Sequence, residues 1–129
     1  MGGFLGGGKE GVRIWDIRDT YGTSSGVDKN VADKPKKNLL VCEQHLGDSF
    51  AAAFGDEKGE LERFVVLQRG HGFVSVGDSI QQLVYRAIST QENAAVQQKA
   101  EIMAEDEGVE VNFLTEEEAR DCAEMNVPS

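Results

Sequence analysis

A chain of 129 residues is long enough for one domain with a real core. With 40% hydrophobic and 7% aromatic residues, that core is expected to be aliphatic. The 23 acidic against 13 basic residues give a formal charge of −10, which repels phosphates at long range and so excludes nucleic acid and anionic membrane surfaces as partners.

The chain opens with a glycine-rich arm, residues 1–11, which has no means of holding one conformation in isolation. It begins like a myristoylation signal, but Gly6 stands where Ser or Thr is required. The triple glycine at 6–8 is no phosphate loop, because Lys9 is followed by Glu10. Residues 12–129 are expected to form the domain proper. Val12 to Ile17 alternates as a strand does, with Val12 and Ile14 facing inward and Trp15 a further candidate. From Asp19 to Lys37 the chain is polar, rich in Gly and Lys, and carries Pro35, which predicts a long loop. Asn38 to Cys42 reads as a second short strand. Leu46, Phe50, Ala53 and Phe54 then mark a helix face that Gly55 ends.

After the acidic turn Asp56 to Glu60 comes the stretch that carries the most information. Phe64 to Leu67 is an apolar, β-branched strand, followed by Arg69-Gly70-His71-Gly72 as a tight turn and by a second strand, Phe73 to Val76. Ser79 with Gln82 has the spacing of a capping box, so a helix should start there. Ile80, Val84, Ala87, Ile88, Ala94 and Ala95 keep helical spacing, and nothing breaks the pattern before Gly108. Val109 to Leu114 is read as a brief extended piece. Thr115 with Glu118 is a second capping box, opening a short helix to about Met125 whose acidic first turn suits the helix dipole.

No run reaches the length of a membrane span, and no leader of charged then apolar residues is present. Cys42 and Cys122 lie far apart without metal-ligand neighbours, which suits reduced thiols in the cytoplasm. Strands mixed with helices in this order predict an α/β fold, layered as α/β/α around a mostly antiparallel sheet. His71, held between two glycines at a strand bend and expected to aim into a pocket, is the one residue placed for chemistry. His45 reads as a helix-flank imidazole and Ser79 as a cap, since no base is spaced to activate it. Arg69 could bind an anionic substrate or pair with a carboxylate on the sheet edge, the commoner arrangement. Tyr85 and Arg86 are open to a neighbouring subunit or to solvent.

The run Val65-Val66-Leu67-Gln68-Arg69-Gly70-His71-Gly72-Phe73-Val74-Ser75-Val76-Gly77 resembles the C-terminal signature of the class II aldolase/adducin family. That signature is an apolar strand, a His-Gly turn, a short strand ending in Val-Gly, and a long helix. Val84 to Ala94 is similar to the helix of the fungal members in particular. The similarity covers about Gly3 to Met125 and is strongest over Phe64 to Ala100.

It implies a partial domain, the second half of the family's layered sheet, in a homo-oligomer of four-fold symmetry with active sites between subunits. In metal-dependent members the histidine of this motif is one of three holding a divalent ion, so the resemblance implies His71 as a ligand of zinc or another divalent metal. The family's H-x-H pair, which supplies two further ligands, is absent here. Two function classes follow. One is a truncated, non-catalytic domain that binds no metal and acts through assembly or a protein partner. The other is a metal-dependent lyase acting on a small oxygenated or sugar-phosphate-like substrate through an enolate, with His71 as one ligand.

Overall fold

The computed structural model describes residues 12–20 and 38–125; the expected arm, and most of the expected loop before Asn38, lie outside them. Three strands form one mixed sheet in the order β1 (Arg13–Trp15), β2 (Val65–Gln68), β3 (Gly72–Ser75). β1 runs parallel to β2, with Arg13 opposite Val66 and Trp15 opposite Gln68. β3 returns antiparallel along the other edge of β2, over the longer register from Val65–Ser75 to Gln68–Gly72. β2 is therefore the central strand, and Val65 and Val66 are both fully buried. Successive side chains point to opposite faces, so both faces of the sheet are covered at this point.

The two faces are covered by different helices. Helix α1 (Gln44–Ala52) brings Leu46, Phe50, Ala53 and Phe54 onto the face of Trp15, Val66 and Val74. The Trp15 ring lies 4.9 Å from that of Phe50, which meets Phe54 edge-on at 5.5 Å. The indole N–H donates to Ser49 Oγ at 3.1 Å, so the one polar atom of that side chain is satisfied inside the core. On the opposite face, Ser75 Oγ donates to the Leu83 carbonyl of helix α2 (Ile80–Glu107) at 3.4 Å. The arrangement is a small α/β/α sandwich.

Several expectations change in detail. The strand expected over Val12 to Ile17 shortens to three residues and continues as a 3-10 turn, Ile17–Asp19. Asp16 caps that turn by accepting from the Arg18 amide at 3.0 Å, which ends the ladder. Trp15 rather than Ile14 is the inward residue: Ile14 is 64% exposed because it lies on the face away from α1, at the sheet edge. Asn38 to Cys42 is not a strand. Leu39 adopts φ 63°, a left-handed conformation that takes the chain out of any ladder. Val109 to Leu114, expected as a brief extended piece, lies outside any helix or sheet, which does not conflict with that expectation.

Helix α1 stops at Ala52, short of the expected Gly55, whereas both ends of α2 and the start of the last helix match the residues that announce them. Ser79 Oγ accepts from the Gln82 amide at 3.2 Å, while the Gln82 side chain accepts from the Asp78 amide at 2.8 Å. Gly108, at φ 66°, closes α2 in the left-handed conformation that favours glycine. Helix α3 (Glu116–Met125) opens on a reciprocal box, Glu118 N to Thr115 Oγ1 at 3.2 Å and Thr115 N to Glu118 Oε2 at 2.8 Å.

Candidate functional site

β1 and β2, being parallel, end on the same side of the sheet, and chemistry in α/β folds gathers at such carboxyl ends. Asp16 and Arg18 follow β1 there; Arg69 and His71 follow β2. The β2–β3 connection is a turn closed by the His71 amide donating to the Gln68 carbonyl at 3.0 Å. Gly70 sits at φ 81° in the third position of that turn, and Gly72 at φ 107° begins β3. Both values strain any residue with a Cβ, so the glycines on either side of His71 are demanded by the backbone. The result lifts the His71 side chain to the surface at the tip of the hairpin, where it is exposed and not aimed into a pocket as expected.

Arg69 pairs with a carboxylate, as sheet-edge arginines commonly do. Its Nε stands 3.4 Å from Asp16 Oδ2. Asp16 is held more firmly by Arg18, whose Nε lies 3.1 and 2.9 Å from the two carboxylate oxygens and whose Nη2 lies 2.6 Å from Oδ2. These Arg18 hydrogen bonds hold the Asp16 carboxyl below its ordinary value against an opposing effect of desolvation, and the Arg69 charge adds to the lowering. An incoming anion would have to compete with Asp16 for Arg69.

The other histidine lies on a different element. His45 lies in the first turn of α1, with Nδ1 3.3 Å from Glu43 Oε2. Among the described residues no group of three His, Cys, Asp or Glu side chains could hold a metal ion. Cys42 and Cys122 are both exposed and form no disulfide. At the opposite end of the sheet a cleft of about 660 Å³ is lined by Arg13, Lys58 and Arg63 together with Asp56, Glu57 and Glu62. Three cations facing three anions give it no net preference for a charged ligand.

Arg86 is where the structure departs furthest from the sequence reading. Tyr85 faces outward, but Arg86 turns in, donates from Nη1 to the Val76 carbonyl at 2.6 Å, and lays its guanidinium 3.9 Å over the Phe64 ring. It thereby ties α2 to the residues flanking both hairpin strands. Ser89 and Thr90 are buried on the same side of α2. Thr90 Oγ1 donates to the Arg86 carbonyl at 2.7 Å and Asn93 Nδ2 to the Ser89 carbonyl at 2.8 Å. The inward face of α2 is thus polar, a spacing of Gln82, Arg86, Ser89 and Asn93 that was visible in the sequence beside the apolar one.

A family model described as the class II aldolase and adducin N-terminal domain matches residues 21–98. The chain is also similar to "Decarboxylase tropJ" of Talaromyces stipitatus, 39% identical over 99 residues. That alignment takes in 75% of this chain and 32% of the relative, so the chain spans about a third of the curated protein it matches. No solved structure matches it.

Proposed function

We propose that this chain, which belongs to the class II aldolase and adducin family, acts through assembly or partner binding and not as a self-contained catalyst. The ligand count carries this reading. A zinc-type catalytic centre takes about three protein ligands and keeps one position open. This chain has two histidines, one on the hairpin tip and one on α1, and the described residues supply no ligand group around either. The described residues do not fit a complete metal centre. What the domain retains is a cored sandwich with outward-facing surfaces, which suits association in a homo-oligomer or with a protein partner.

A second reading is favoured by the likeness to a decarboxylase and by the exposure of His71 on a hydrogen-bonded turn. In it, His71 is one ligand of a divalent-metal centre whose other ligands come from another chain. The reaction class would be a lyase, cleaving or decarboxylating a small oxygenated or sugar-phosphate-like substrate. Arg69 would then meet an anionic group of the substrate by exchanging it for Asp16.

Metal analysis separates the two. After chelator treatment and dialysis against zinc, the chain is expected to retain well under one zinc per chain, and His71→Ala is expected to change nothing. One zinc per chain, lost in His71→Ala, would carry the second reading instead.

A further inference from the structure

Among the described residues Leu39 is the one residue other than glycine with a positive φ, at 63°. A bulky side chain takes that left-handed region only where its surroundings impose it, and such outliers gather at functional sites and switches. Two contacts impose it here. Asn38 Oδ1 accepts from the Leu40 amide at 3.1 Å, which closes a local turn around Leu39. The Leu39 side chain then packs against the core cluster around Trp15 and Leu46, while Leu40 and Val41 stay exposed.

The same side chain reaches the His71 turn. A methyl group on Gly70 would stand 3.0 Å from Leu39 Cδ1, so Leu39 covers Gly70 at contact distance. On the other side of His71, a methyl group on Gly72 would meet nothing within 4 Å. The base of the turn is tied by backbone alone: the Arg69 amide donates to the Trp15 carbonyl at 3.1 Å, and the His71 amide to the Gln68 carbonyl at 3.0 Å. Leu39 therefore bears on the tip from one side.

We propose that Leu39 is a latch on the His71 turn. Seated at the margin of the core, it holds the turn in its hydrogen-bonded shape. On leaving that seat it relaxes its own backbone and frees the turn. The two states are opposed within one residue, since burial of the side chain favours seating and the left-handed backbone favours release. Leu39 is thus a positioning residue, acting through Gly70 on where His71 is presented. This goes beyond the reading of the chain as an assembly domain, because the latch acts on His71 whether or not a metal meets it.

Two substitutions in the full chain separate a latch from ordinary packing. Leu39→Ala removes the side chain and keeps the strained backbone, whereas Leu39→Gly removes both. The urea midpoint of Leu39→Gly should therefore equal or exceed that of Leu39→Ala, the reverse of the order at a position with negative φ. In both variants, amide exchange followed by NMR should speed up at His71 about tenfold more than at Val66, because the turn opens without the sheet. Leu39→Met refills the seat and should bring His71 exchange back to within about twofold of the parent chain. An alanine variant more stable than the glycine variant would overturn the latch. So would His71 exchange that rises by the same factor as Val66, stays unchanged, or remains fast in Leu39→Met.

Discussion

Trp15→Ala is expected to lower the unfolding free energy by about 3–5 kcal/mol, the usual range for emptying a buried tryptophan site. Trp15 is 6% exposed and joins the parallel strand β1 to helix α1 through the Phe50 ring and Ser49 Oγ. Truncation leaves a cavity between sheet and helix and leaves the Ser49 hydroxyl without its donor. Trp15→Phe keeps the ring contact and loses the hydrogen bond, so its cost should fall nearer 1–2 kcal/mol. Urea denaturation of the three proteins checks this. A loss under about 1 kcal/mol for the alanine variant would mean that β1 is not part of the cooperative core.

Arg86→Ala is the second large effect, expected at about 2–4 kcal/mol. A hydrogen bond to a charged donor is worth about 1.5–3 kcal/mol, and a cation over an aromatic face about 0.5–2. Both converge on this one guanidinium, at Val76 and Phe64. Burial pushes its pKa down, with the Asp78 charge acting against that, as expected for a cation drawn into the protein by its contacts. Arg86→Lys keeps the charge but not the planar face and should recover less than half of the loss. If Arg86→Ala proved neutral by denaturant midpoint, α2 would have to be held to the sheet by other contacts.

The parts of this fold legible in the sequence are those governed by neighbours in the chain. Ser79 with Gln82, Thr115 with Glu118 and Gly108 each fix a helix end through contacts within a few residues, and each acts where the spacing placed it. The Gly70-His71-Gly72 turn was legible for the same reason, since its positive φ values require glycine.

What was not legible depended on distant partners. Ile14 and Trp15 are equally apolar, and only the side on which α1 lands decides that Trp15 goes inward. Asn38 to Cys42 has the composition of a strand but no ladder to join, because Leu39 turns the backbone away. On α2 the apolar spacing identified the helix correctly, yet the face it buries is the polar one. Arg86 turns toward the hairpin because the Val76 carbonyl stands there to accept from it, and nothing in the sequence of the helix itself announces that acceptor. For the candidate site, His71 at the turn was plain from the motif, whereas its exposure and the claim of Asp16 on Arg69 required the parallel pairing of β1 with β2.

Native mass spectrometry of the chelator-free full chain, read over a range of concentrations, tests the assembly claim most directly. The account predicts an oligomer whose share rises with concentration and whose mass contains no metal. A monomer at every concentration, or a species carrying one divalent ion per chain that His71→Ala removes, would contradict it.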